Sequence, residues 1–347
     1  MSGQSTTATA PVSQKKMFVR TLLRGTGQVM FQESAWTGLL ILAGIFWGAY
    51  ESHTPQVAWG AVVALICSTL TGYILHEPDA DGDAGLWGFN GILVGCALPT
   101  FLANTWEMWA LIVVFSAVTT WVRTGYNQVM KPWKVNSLTF PFVSMTWIVL
   151  FASRIMGGLP TFSGGLSDPA LPATAAATAL PDVSFVPLVE YWLKGISQVF
   201  LINSWVTGAL FLIGLAICSR WAAFWAAAGS AIALAVALLF RAPAADITSG
   251  LFGFSPVLTG IALGMTFYRP NIKSAIWTVI GIVATVFVQA AMDVMFAPWG
   301  LPTLTGPFCL TTWLFLLPLY KFDDNDPDNS EWHKMEKRVA DDIKKAL

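Results

Sequence analysis

Two short phrases hold the most suggestive polar residues of this chain, LTFPF at 138–142 and LTGPF at 304–308. Each sets one hydroxyl, Thr139 or Thr305, beside phenylalanine and proline in an otherwise apolar run. A second matched pair places Gln28 in LRGTGQVMFQESAWTG (23–38) and Gln198 in LKGISQVFLINSWVTG (193–208). A third places Phe89 in GLWGFNGILVGCALP (85–99) and Phe254 in GLFGFSPVLTGIALG (250–264). Hydroxyls and carboxamides both donate and accept hydrogen bonds, and phenyl rings present flat apolar faces. None of these residues forms a nucleophile–base pair or a metal-ligand set, so an enzyme is not expected. The chemistry they support is recognition of a small polar solute.

Each has a plainer reading. Thr139 and Thr305 can cap helices, with the proline two residues later sitting in the first turn, where its missing N–H costs nothing. Phe89 and Phe254, with Leu93 and Leu258 one turn later, can simply pack, and the surrounding glycines let helices approach closely. The segment from about 18 to 35, which carries Gln28, is too polar to cross a bilayer. It is either an interfacial helix or a half-length re-entrant one, tolerated only where it is buried in protein or lines a polar path. The end of a re-entrant helix would expose unpaired carbonyls beside the glutamine.

The elements that must position these residues follow from composition. Of 347 residues 55% are apolar and 11% charged, with mean hydropathy +0.61, which is membrane-protein composition. The net charge of −1 and the lack of basic runs interleaved with aromatics give no reason to expect nucleic acid. Apolar segments predict about ten spans. They lie near 36–50, 57–75, 86–103, 107–125 and 138–156, then near 205–220, 222–240, 251–267, 274–292 and 303–320.

The three matched pairs occur in the same order in both halves, which is the mark of an internal duplication. Five spans per half is an odd number, so the second copy enters the membrane from the opposite side. The expected fold class is therefore an all-α polytopic membrane protein of two inverted-topology repeats, with two re-entrant half-helices. The repeats cover 18–156 and 188–320, joined by an exposed linker at 157–187 rich in Gly, Pro, Ala and Thr. A disordered arm over 1–17 precedes them. A polar tail over 321–347 follows, in which Trp332, Met335, Val339 and Ile343 share a helical stripe behind an N-cap at Ser330.

The positive charges favour one side. Lys15, Lys16, Arg20, Arg24, Arg123, Lys131, Lys134, Arg220, Arg269 and Lys273 fall in segments that also hold the termini, against Arg154, Lys194 and Arg241 opposite. Both termini are expected in the cytoplasm. The four cysteines, Cys67, Cys96, Cys218 and Cys309, stand singly in apolar runs and read as buried side chains. The run Asp79, Asp81, Asp83 imitates a calcium loop, but Ala84 and Asn90 occupy its sixth and twelfth positions, so no metal is expected. His53, His76 and His333 lie outside the spans, and acidic residues are nearly absent within them. Proton relays and ion-coupled transport use intramembrane ionisable groups, so a passive neutral pore fits better.

Together the six motifs resemble the urea transporter family, over roughly residues 18–320. The resemblance implies a homotrimer with one pore per protomer, passing urea down its gradient between the two repeats and needing no cofactor. Carried across by motif, Phe89 and Phe254 would form aromatic slots, with Leu93 and Leu258 beside them. Phe31 would join that lining, although its counterpart is Leu201. Gln28 and Gln198, with Val29 and Val199, would stand at ladders of acceptor oxygens, and Thr139 and Thr305 at the narrow centre. Short loops suggest a bacterial inner-membrane member. The alternatives are a channel for ammonia or short amides, or an ion-coupled transporter.

Overall fold

Fourteen α-helices form among the described residues, and their boundaries follow local signals. The computed structural model describes residues 14–162, 165–171 and 179–322. The predicted tail helix and most of the N-terminal arm lie outside this range. Residues 14–17, expected in the arm, already belong to α1 (Gln14–Gln28). Then come α2 (Ala35–Glu51), α3 (Pro55–Ile74), α4 (Asp79–Ala84), α5 (Phe89–Phe101), α6 (Trp106–Met130) and α7 (Phe140–Ser153). The second half repeats the order: α8 (Phe185–Ser197), α9 (Trp205–Cys218), α10 (Arg220–Leu239), α11 (Ala244–Thr248), α12 (Phe254–Ile261), α13 (Ile272–Phe296) and α14 (Gly306–Leu316). Among the described residues no strand forms; one isolated antiparallel bridge joins Leu102 to Thr161.

Every predicted span is helical, but the helices differ in kind. Those at Pro55–Ile74, Trp106–Trp133, Arg220–Leu239 and Ile272–Trp299 are long and apolar enough to cross a bilayer. By contrast α5 has 13 residues and is only ~20 Å long, too short for a hydrocarbon core of about 30 Å. Its residues Phe89 to Pro99 are all buried, so protein and not lipid surrounds it. The sequence pattern alone could not separate a full span from a buried half-span, since both are apolar on every face. Outward, Trp36, Trp47, Trp106, Ile148 and Ile276 are exposed, as lipid-facing side chains must be. The protein is an integral membrane protein.

Two tight junctions link α1 to α2 and the α8 segment to α9. Ser34 and Ser204 each cap the next helix by accepting a hydrogen bond from the backbone N–H of Thr37 or Thr207. Segment 185–200 meets α9 at a 74° bend. Each junction passes through a left-handed residue, Phe31 at φ 60° and Leu201 at φ 59°. Such conformations are uncommon for bulky residues and mark positions dictated by their surroundings.

Contacts between the halves come in reciprocal pairs. Thr37 Oγ1 donates to the Gly214 carbonyl at 2.7 Å, and Thr207 Oγ1 donates to the Gly44 carbonyl at 2.8 Å. Trp147 Nε1 donates to the Pro302 carbonyl at 2.9 Å, and Trp313 Nε1 to the Asn136 carbonyl at 2.8 Å.

Candidate functional site

Four helix ends carry the paired polar residues. The C-terminal ends of α1 and of the α8 segment carry Gln28 and Gln198, and the N-terminal ends of α7 and α14 follow Thr139 and Thr305. Thr139 and Thr305 occupy N-cap positions, yet neither side chain makes the capping hydrogen bond. Their hydroxyls instead bond each other at 2.7 Å across 166 residues of sequence, and Thr139 Oγ1 also meets Cys309 Sγ at 3.3 Å. Both threonines are buried, 2% and 3% exposed. The plain capping reading therefore fails, and the two hydroxyls are partnered with each other instead.

The glutamines are held alike. Gln28 Nε2 donates to the Ala84 carbonyl at 2.8 Å, and Gln198 Nε2 to the Ser249 carbonyl at 2.9 Å. An amide whose nitrogen is committed in this way directs its oxygen elsewhere, as an acceptor. Gly85 (φ 86°) and Gly250 (φ 73°) follow those two carbonyls, and their left-handed backbone is open to glycine at little cost.

A cavity of about 820 Å³ is lined by Gln198, Val199, Leu201, Phe254 and Thr305. Leu258 does not line it; it is fully buried in the core, as are Leu93 and nearly so Val29. In the first half Phe31 is edge-on to Phe308 at 6.1 Å between ring centroids and to Phe267 at 6.0 Å. Phe89, like Phe254, is 8% exposed and begins its helix.

Sequence reasoning passed over three residues here. Phe142 lines the cavity and its counterpart Phe308 packs on Phe31, so each aromatic cluster has one more ring than expected. Both stand in the repeated phrase, which was the available signal. Asn90, 2% exposed, was the third: Oδ1 accepts from the Phe142 N–H at 3.1 Å and Nδ2 reaches the Leu138 carbonyl at 3.4 Å. It thereby ties α5 to the start of α7, beside Thr139. Its counterpart, Ser255, leaves a buried Oγ without a partner. Asn90→Ala is expected to destabilise the protein by about 1–3 kcal/mol, because it orphans a buried N–H and a carbonyl. Ser255→Ala is expected to be neutral or slightly stabilising. Thermal unfolding of the two variants in detergent checks the contrast.

Toward its mouth the cavity holds Asp246, Asp293 and Asp168. Burial pushes the Asp246 carboxyl above the usual carboxylate range. Among the described residues no group of three His, Cys, Asp or Glu is arranged to hold a metal ion.

Fold and site together define a polytopic, all-helical membrane protein with a buried pair of hydroxyls between its two halves. A profile of the urea transporter family matches residues 19–320. The chain belongs to the urea transporter family, whose members are transporters and not enzymes. It is similar to urea transporter 1 of Ovis aries, at 29% identity over 307 residues, which is 88% of this chain and 78% of the relative. It is likewise 29% identical to urea transporter 1 of Rattus norvegicus over 339 residues, covering 93% of this chain and 86% of the relative. These relatives are animal proteins, so the expected bacterial inner membrane draws no support from them.

Proposed function

We propose that this protein is a passive urea channel whose path runs between two inverted repeats and through the Thr139–Thr305 constriction. The observation that carries this reading is the 2.7 Å hydrogen bond between hydroxyls supplied by the two matched phrases. Reciprocal Thr–carbonyl and Trp–carbonyl contacts support the two-fold arrangement of the halves. On this reading both termini are cytoplasmic, the linker and the second-repeat mouth are on the far side, and the protein is a homotrimer with one path per protomer.

The physics suits urea. It is planar, with N–H donors along both edges and one carbonyl, and stripping its water unreplaced would cost about 2–7 kcal/mol per amide-like group. Carboxamide oxygens of Gln28 and Gln198, helix-end carbonyls and the two hydroxyls return those bonds, as carbonyl rings do in ion filters. Phe89, Phe254, Phe142, Phe308 and Phe31 accept its flat face while giving a hydrated ion no compensation. Leu201 at the place of Phe31 makes the second slot partly aliphatic, with Val29 and Val199 packed at the helix ends and Leu93 and Leu258 supporting behind.

The deciding experiment is urea flux in proteoliposomes by stopped-flow light scattering, with and without proton and sodium gradients. Fast flux, saturating only at high urea and indifferent to both gradients, is expected; gradient-driven flux or no urea flux overturns the reading. Phe254→Ala is expected to admit N,N′-dimethylurea and formamide relative to urea, and an unchanged permeability ratio in the folded variant would remove the slot. Native mass analysis in mild detergent is expected to show trimers.

A further inference from the structure

The two halves differ in one informative way. Beside α4, Asp81 is paired with Arg123 of α6, Nη1 to Oδ2 at 2.9 Å, with the arginine side chain 10% exposed. At the matching place in the second half, Asp246 of α11 replaces Asp81, and α13 carries Gln289 where α6 carries Arg123. One turn further along the same helix face, Asn127 is replaced by Asp293. The second half therefore keeps the carboxylate, adds another, and omits the guanidinium that neutralises the first.

A second observation is independent of this charge count. Gln289 is 2% exposed and lines the same cavity as Asp246 and Asp293. Its Nε2 donates to the Leu251 carbonyl, but its Oε1 has no hydrogen-bond partner. Leaving a buried carbonyl unpaired is costly, so the position favours a donor arriving from the cavity. Among the described residues the Thr303 hydroxyl donates to Asp293 Oδ1 at 3.2 Å. Arg154 is turned to the Ser167 and Gly300 carbonyls on the cavity wall, and Lys194 to the Thr248 carbonyl.

We propose that this mouth binds a small planar guanidinium-type cation between Asp246 and Asp293, with Gln289 Oε1 accepting a further N–H. The first half shows the chemistry in its own side chains: the Arg123 guanidinium on Asp81 is the covalently attached version of the ligand. A guanidinium presents N–H donors in one plane, which match a carboxylate edge on. It has the shape of urea but carries a full charge. Passing Phe254 toward the threonine centre would strip its hydration with no carboxylate in reach, so it stays at the mouth and obstructs the path. The obstruction rests on the proposed urea path; the binding site does not.

The test uses the full chain in detergent and guanidinium chloride as the probe, at constant ionic strength set with sodium chloride. Line broadening of nitrogen-15-labelled guanidinium is expected to report a Kd on the order of 1 mM. Asp246→Asn and Asp293→Asn are each expected to weaken binding by about tenfold or more. Gln289→Arg should abolish it, because the new side chain fills the site as Arg123 fills the first. Absence of binding in the wild type, or equal binding in all three variants, overturns the site. In proteoliposomes guanidinium should slow urea flux only from the second-repeat side, and block from neither side overturns the obstruction. Guanidinium binding with no urea flux at all would defeat the channel reading and leave the cation site standing.

Discussion

Thr139→Val together with Thr305→Val is expected to lower urea flux by about tenfold to a hundredfold while leaving the fold intact. Valine keeps the shape of threonine and removes both hydroxyls, so the centre stays filled but offers nothing to a desolvated urea. One lost hydrogen bond at a buried place is worth about 1–3 kcal/mol, and each 1.36 kcal/mol is tenfold in rate. The single variants should behave differently. Thr139→Val orphans the Thr305 hydroxyl, whereas after Thr305→Val the Thr139 hydroxyl keeps Cys309 Sγ at 3.3 Å. Thr139→Val is thus expected to lose more stability than Thr305→Val, and the double variant to recover much of that stability without recovering flux. Thermal unfolding and stopped-flow measurements on all three variants separate the two effects. Wild-type flux through the double variant would return the threonines to a purely structural duty.

Gly38→Ala and Gly208→Ala are expected to abolish the folded protein. A Cβ on Gly38 would overlap the Leu23 carbonyl, and one on Gly208 the Leu193 carbonyl. These are backbone atoms of α1 and α8 lying against α2 and α9, so no flexible side chain can yield. Overpacking of a well-filled interior costs typically 1–3 kcal/mol, and roughly more where backbone must move. Gly125 of α6 is the control, since a Cβ there meets nothing within 4 Å. Gly125→Ala should be stabilising by about 0.5–1 kcal/mol through helix propensity. Size-exclusion profiles in detergent and melting curves decide the matter; monodisperse, wild-type-like Gly38→Ala would show that α1 does not pack on α2 as described.

Much of the architecture was readable from residue order alone. The all-helical membrane class follows from apolar runs. The pairing of Gln28 with Gln198, Phe89 with Phe254 and Thr139 with Thr305 follows from repetition. Each named pair then holds matching places: both glutamines bind the carbonyl before a left-handed glycine, and both phenylalanines begin a helix. Leu93 and Leu258 illustrate the limit. Helical spacing puts them on the face below the phenylalanines, but it cannot say whether that face meets a cavity or a neighbouring helix, and here it is the latter. Asn90 escaped because its partners, Phe142 and Leu138, are distant in sequence and joined only by folding.

Hydrophobicity, helix signals and repetition are local properties of residues, so the sequence by itself determined the membrane class, the places of the helices and the equivalence of the two halves. Direction and partnership are not local. Whether a threonine caps its own helix or faces its twin, whether an apolar stretch crosses the bilayer or stops halfway inside the protein, and which aspartate meets an arginine depend on what lies across the interior. Those choices were made by tertiary packing, because a buried polar group takes whichever partner the fold brings within about 3 Å.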